Sequence, residues 1–585
     1  MSHVDAPPVD GREPSDVVDD RDPRRWITLT IVIVAAFIIV LDNTILNVAI
    51  PTILREFDTT LPSLEWVITG YALTFATFLI IGGRLGDVYG HRRIFMVGTG
   101  LFGLGSLIAA LSQGVPELLI GEALIEGIGA SLMLPATLAL LSDTFHGRER
   151  ATAFAAWGAT AGVAAAVGPV VGGFLTTNYS WRWSFGINVI IAPLTLLGAW
   201  VFMRPVARSG RRTKIDLPGA ALVATGMFLL VFSLSEGARY GWWKPIADFA
   251  VMGHVVWPES SAISIIPVTF ALSVALLTGF FFLERSKERR DRGPLMEFRY
   301  FRLRTYRYGL LTGMVLGMAQ LGLSFVLAQY LQTALHLSAA ENGLWMLPTG
   351  VFVIIGAQLG GRATRRYGPT VVVRFGMIAY AVGVLWILWV VSLHTTVWEL
   401  MPGLALWGVG IGFAGAQLTN VVLSEIPAHS SGVASGANTT FRQVGMALGV
   451  AVIGSLLATT TVGHATAQID QSNLSVTSKI QAHVGIEALG INYAPPPSAG
   501  RADAAVVQRA LENGVVAGTR WALAFAFVVI ALGVLLAFRI PDMHARAAEV
   551  LDRPNQGRDP GEPGEPNEPR DARGTVDAGS HHHAA

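Results

Sequence analysis

Cysteine is absent from all 585 residues. That excludes disulfides, thiolate metal sites and cysteine nucleophiles together. Lysine is nearly absent, four residues against 38 arginines, which with the weight of alanine, glycine and valine suggests a high-GC bacterial genome. Charge of either sign is scarce: 14% of residues are charged against 52% hydrophobic, and mean hydropathy is +0.50. An ordinary soluble multidomain chain is not this apolar, so the sequence reads as an integral membrane protein. There is no phosphate-binding loop, so ATP is not the direct energy source. The net charge of +1, with no basic patch outside short loops, gives no support to a nucleic-acid partner. Neither a catalytic constellation nor metal-ligand spacing stands out, so an enzyme is the least favoured class. His581, His582 and His583 are assigned no metal role, and no cofactor is expected.

What fills the chain is a succession of apolar runs, each near the roughly 20 residues that cross a bilayer as a helix. Fourteen are counted, at about 27–51, 64–83, 94–112, 117–141, 152–176, 184–203, 216–235, 262–283, 309–331, 343–361, 371–392, 398–422, 433–457 and 518–539. The first is too long for a signal-peptide core and lacks a cleavage pattern, so it is read as retained. Arginine orients the set. Arg24 and Arg25 precede span 1; Arg92 and Arg93 follow span 2; Arg208, Arg211 and Arg212 follow span 6; the densest cluster, Arg285 to Arg307, follows span 8. Even-numbered exits are basic and odd-numbered exits are not, which predicts cytoplasmic termini in a bacterial cytoplasmic membrane. Residues 1–25 and 545–585, rich in Pro, Gly and charge, are expected to be disordered tails. Residues 458–517 read as a long external loop, and 236–261, with Trp242, Trp243 and Trp257, as an external Trp-rich hairpin.

Asp42 interrupts span 1. A carboxylate well inside a membrane helix costs about 2.5–3.5 kcal/mol and is normally kept where it faces a cavity, a partner or a proton path. Glu122 and Glu126 in span 4 are spaced to share a helix face with Gly129 and Met133. Counted from the outer ends of their spans, Asp42 and Glu126 lie at similar depth. Either acid of span 4 could instead be a protonated packing group, and Glu122, nearer the surface, a solvated one. Arg442 is the only basic residue well inside a second-half span; it could meet an acidic substrate group or form a structural ion pair. Gln320, Gln417 and Asn420 are candidate polar wall groups, and Trp66, Trp157 and Trp407 could stack on a flat cation.

A repeat organises the spans. Gly82-Gly83-Arg84-Leu85-Gly86-Asp87-Val88-Tyr89-Gly90 returns as Gly360-Gly361-Arg362-Ala363-Thr364-Arg365-Arg366-Tyr367-Gly368, each closing the second helix of a six-span half. This predicts two duplicated bundles with a site between them near the midplane and two inserted helices. The segments are a tail (1–25), an N-terminal bundle (26–205), a linker with two helices (206–300), a C-terminal bundle (301–544) and a second tail (545–585).

Gly83-Arg84-Leu85-Gly86-Asp87-Val88-Tyr89-Gly90-His91-Arg92-Arg93 resembles the loop signature of the major facilitator superfamily, and Gly168-Pro169-Val170-Val171-Gly172-Gly173 resembles its antiporter motif. Leu41-Asp42-Asn43-Thr44, Trp181-Arg182-Trp183 and Ile187-Asn188-Val189 are similar to its fourteen-span drug:proton branch. The resemblance covers about residues 26–545. It implies an all-α major facilitator fold of 14 transmembrane helices, two six-helix bundles related by a pseudo-two-fold, working by alternating access. It further implies that spans 1 and 4 line the central cavity, and that Asp87 sits against the start of span 13, Ser430-Ser431-Gly432, as a latch. Gly83, Arg84, Gly90, Arg92, Arg93, Gly168, Pro169, Gly172 and Gly173 belong to the same gate. The chain departs from the family in span 4, where Glu122 and Glu126 replace an arginine and a glutamine, and mildly at Val88 and Ala164.

The expected function is proton-coupled efflux of amphipathic, cationic compounds, with protons loading Asp42, Glu126 and Glu122 and the proton gradient as energy source. Export of a lipid or metabolite is the alternative within transport, and a non-transporting receptor or scaffold the alternative outside it. The expected partners are the bilayer, small molecules and protons, with the protein a monomer.

Overall fold

Lipid offers no hydrogen bonds to a bare backbone, so the apolar runs must satisfy their own N–H and C=O groups, and they do so as helices. The computed structural model describes residues 23–542 apart from 60, 146, 205–215, 252–253, 291–293, 428–429, 494 and 496–499. The expected tails with His581, His582 and His583, and Arg208 to Arg212 of the linker, lie outside the described residues, as do the side chains of Asn43, Thr44 and Pro169.

The first half comprises α1 (Arg25–Glu56), α2 (Leu61–Tyr89), α3 (His91–Leu111), α4 (Val115–Thr144), α5 (Gly147–Asn178) and α6 (Arg182–Phe202). Two inserted helices follow, α7 (Leu217–Tyr240) and α8 (Ile265–Arg289), joined by an antiparallel hairpin of β1 (Phe249–Val251) and β2 (His254–Trp257). The second half is α9 (Arg304–Ala334), α10 (Ala339–Tyr367), α11 (Pro369–Val390), α12 (Val397–Val422), α13 (Ser431–Gln471) and α15 (Arg501–Arg539), with a short α14 (Val476–Leu489) before the last. Thirteen of these are apolar and long enough to cross a membrane, and α5, 32 residues rich in alanine and glycine, is the remaining long rod.

The duplication is visible in how glycines let helices touch. In the first half α3 crosses α4 where a Cβ on Gly98 would lie 2.8 Å from the Gly129 carbonyl, and one on Gly105 2.6 Å from that of Gly121. In the second half α11 crosses α12 the same way, at Gly376 with Gly410 and Gly383 with Gly403. Gly90 and Gly368, at φ of 97° and 83°, make the matching turns α2–α3 and α10–α11 in a backbone region side chains rarely adopt.

The stretch 458–517 is not mainly a loop. Helix α13 runs on to Gln471 and α15 begins at Arg501, and with α14 they bury Ala465, Ile469, Ile486 and Leu511 in a small core of their own. The polar residues that suggested a loop lie on the outer faces of these helices, and span hydropathy is blind to that pattern.

Candidate transport site and gate

Helix α4 is a π-helix from Leu119 to Glu126, a widened turn of a kind that recurs at functional sites. The i, i+4 face inferred for Glu122 and Glu126 assumed a regular α-helix; the π segment still turns both inward, while Gly105 of α3 admits the backbone of Glu126 closely. Asp42 reaches the same point from α1. One carboxylate oxygen from each of Asp42, Glu122 and Glu126 lies within 4.8 Å of the others. All three are buried, at 2%, 1% and 0% exposure, so Glu122 is not a solvated vestibule acid.

Asn188 of α6 completes the cluster. Its Nδ2 donates to Asp42 Oδ1 at 2.7 Å and to Glu126 Oε1 at 3.3 Å. Asp42 Oδ2, Glu122 Oε2, Glu126 Oε2 and Asn188 Oδ1 are buried without a hydrogen-bond partner among the described residues. Three carboxylates so close and so dry cannot all be charged, because each isolated buried charge costs several kcal/mol. The arrangement can hold protons, or a cation shared between the oxygens. Sequence reasoning quoted Asn188 only within a motif; an amide inside an apolar span was the available signal.

The second feature is at the end of the bundle where α1 begins. Asp87, the last-turn acid of α2, accepts from the backbone N–H groups of Gly432 at 2.7 Å (Oδ1) and Val433 at 2.8 Å (Oδ2), the free donors of the α13 N-terminus. His91 Nε2 bonds Asp87 at 2.9 Å and its Nδ1 bonds Asp143 of α4 at 2.8 Å. The sequence reading missed this histidine bridge. A Cβ on Gly83 would lie 2.2 Å from the Gly432 carbonyl, so the backbones of α2 and α13 are in contact. Across the bundle, Gly361 of α10 packs on Ala155 of α5, and Gln417 of α12 donates to the Ala151 carbonyl at 3.4 Å. The two halves therefore interlock at this end.

A profile described as Major Facilitator Superfamily matches residues 32–450. The chain belongs to this superfamily. It is a multi-pass membrane transporter, not an enzyme, and the receptor or scaffold alternative falls with that. Among proteins similar to it are the probable actinorhodin transporter of Streptomyces coelicolor, 34% identical over 79% of this chain and 78% of that one. The puromycin resistance protein pur8 of Streptomyces alboniger is 31% identical over 90% of this chain and 93% of its own. The crystal structure of the human organic anion transporter MFSD10 (TETRAN) covers 88% of this chain and 100% of its own with a TM-score of 0.55, a likeness of fold at 14% identity.

In this major facilitator transporter the other predicted residues are spread widely. Gln417 and Asn420 join through Asn420 Nδ2 to Gln417 Oε1 at 3.5 Å, buried on α12. Gln320 is half-buried on α9. Arg442 is half-buried, with its Nε unpartnered among the described residues and its backbone against Gly317. Trp157 is buried in a core shared by both halves and Met133 packs under Gly98. Trp66 stacks on Phe232 of α7, with ring centroids 6.2 Å apart, and Trp407 on Tyr380 at 6.1 Å. Packing thus accounts for Met133, Trp66 and Trp407 in this conformation. Arg84 is buried beside the gate. Arg92 caps α6 by donating to the Ala199 and Trp200 carbonyls, whereas Arg93 is exposed. Gly172 lies against Ile45, which seats α5 on α1; Gly168 is buried and Gly173 half-buried on the same helix.

Proposed function

We propose that this transporter is a proton-coupled exporter of amphipathic, cationic organic compounds, with Asp42 and Glu126 as the groups that exchange a proton for the substrate's charge and Glu122 as their titrating neighbour. The observation that carries the reading is the cluster of three buried acids within 4.8 Å of one another. A cation can replace a proton there with little change in net charge. Protons arriving from outside bind the carboxylates and the cation leaves outward; after the bundle rocks, the protons leave to the cytoplasm and a new cation binds. One proton crossing 100 mV supplies about 2.3 kcal/mol, which a one-for-one exchange returns in moving the cation's own charge the other way, so accumulation rests on the pH difference, about tenfold per unit, or on a second proton per cation. Relatives named for actinorhodin transport and puromycin resistance support efflux of bulky organic compounds. The Asp87 bonds to Gly432 and Val433 support a latch on the cytoplasmic side, with both termini on that side of a bacterial cytoplasmic membrane.

The test is Asp42→Asn in proteoliposomes carrying an imposed pH gradient and a fluorescent lipophilic cation. Gradient-driven uptake is expected to vanish while the protein still folds and inserts. Gradient-driven uptake at the wild-type rate would remove Asp42 as proton carrier.

A further inference from the structure

Beside the gate, and apart from the acid cluster, the inserted helices leave a cavity of about 870 Å³ against the core bundle. That volume suits a bulky organic ligand. Its interior is apolar, formed by Val223 and Met227 of α7, Leu277 and Phe280 of α8, Met314 of α9 and Val444 of α13. Its rim is cationic: Arg285, Arg289, Arg299, Arg302 and Arg307 line it, against one acid, Glu288, whose Oε1 is already taken by the backbone N–H of Arg299 at 2.9 Å. Arg285, Arg289, Arg302 and Arg307 form no ion pair among the described residues. A smaller cavity of about 380 Å³, lined by Arg285, Arg289 and Arg290, continues from the same arginines. Thr440 also lines the large cavity, and its hydroxyl, on a residue 4% exposed, has no partner among the described residues. The outer wall is α8, which exposes Val268, Leu272 and Phe282, so this side faces lipid.

We propose that this cavity is a resident site for one anionic phospholipid, with acyl chains among the apolar residues and the phosphate held by the arginine rim. Charge complementarity at a fixed depth selects the occupant: a ligand there must be anionic at the membrane surface and apolar below it. A neutral lipid leaves the arginines unanswered, and a soluble anion leaves the interior empty. Basic pockets between membrane helices favour anionic headgroups for the same reason. The site touches α13 at Ala437 and α2 at Ile80, so the lipid bridges the inserted helices to both sides of the gate. The proposal is independent of proton coupling.

The experiment uses the full chain, reconstituted in an equal mixture of phosphatidylglycerol and phosphatidylcholine, extracted and weighed intact by native mass spectrometry. The wild type is expected to retain one phosphatidylglycerol with a preference of about tenfold or more over phosphatidylcholine. The exposed-residue triple variant Arg285→Gln/Arg289→Gln/Arg302→Gln should fall to parity. Met227→Trp, which narrows the apolar interior and keeps the arginines, should weaken retention of the bound lipid. Parity in the wild type, or undiminished preference in the triple variant, overturns the proposal. So does displacement of the lipid by glycerol 3-phosphate as effectively as by short-chain phosphatidylglycerol, since that assigns the site to a soluble phosphate.

Discussion

Asn188 carries more of the acid cluster than its place in the sequence suggests. One amide group donates to carboxylates from two helices, and hydrogen bonds to charged groups contribute about 1.5–3 kcal/mol each. Asn188→Ala should therefore weaken binding of a monovalent cation by about tenfold near neutral pH and move the pH midpoint of binding, with calorimetric titration as the readout. A positional effect on packing alone would leave that midpoint in place. Glu126→Gln separates the two readings of the buried acids. Within the exchange mechanism it weakens a cation by about tenfold and a neutral analogue far less, because only the cation uses the lost charge. Equal losses for both ligands between pH 5 and 9, with no change of midpoint, would return Glu126 to the role of a protonated packing residue.

At the scale of helices, the contact of α2 with α13 rests on a carboxylate at a helix N-terminus and on two glycines facing each other. Asp87→Asn leaves one oxygen where there were two and removes the charge that the dipole favours. Spin labels on the α2–α3 and α10–α11 turns should then show a larger population of long distances, and unchanged distributions would make Asp87 a passive contact. Gly83→Ala inserts a Cβ where the Gly432 carbonyl stands; overpacking of this kind costs about 1–3 kcal/mol, and the same labels should move apart. At the opposite end, Glu56 of α1 bonds Arg182 at 2.5 Å and Trp181 at 2.6 Å. The Arg182 hydrogen bond, the largest influence, holds the Glu56 carboxyl below its ordinary range. A depressed folded value means that this contact stabilises at neutral pH and is lost as pH falls from about 4.3 through that value. The thermal midpoint of wild type should fall more steeply on acidification below about pH 4.5 than that of Glu56→Gln.

At the scale of the molecule, the sequence by itself determined the number of spans, the duplication and the family. Those follow from properties that need no partner: a run of about 20 apolar residues can cross lipid only as a helix, and a glycine at positive φ marks the same turn in both halves. It also singled out Asp42, Glu122 and Glu126, since acids inside membrane spans are costly enough to require a reason, and Asp87 through the resemblance of its loop motif to the family's. Only the tertiary structure decided what that reason could be. The meeting of three carboxylates depends on a π-helical turn in α4, and on the depth at which α1 and α6 pass it. Helix register and crossing depth arise from contacts between residues far apart in the chain, such as Gly105 with Glu126 and Asn188 with Asp42. The helices within 458–517, the His91 bridge and the arginine-rimmed cavity were hidden for the same reason. Each is made by surfaces from several helices, and no single stretch of sequence contains it.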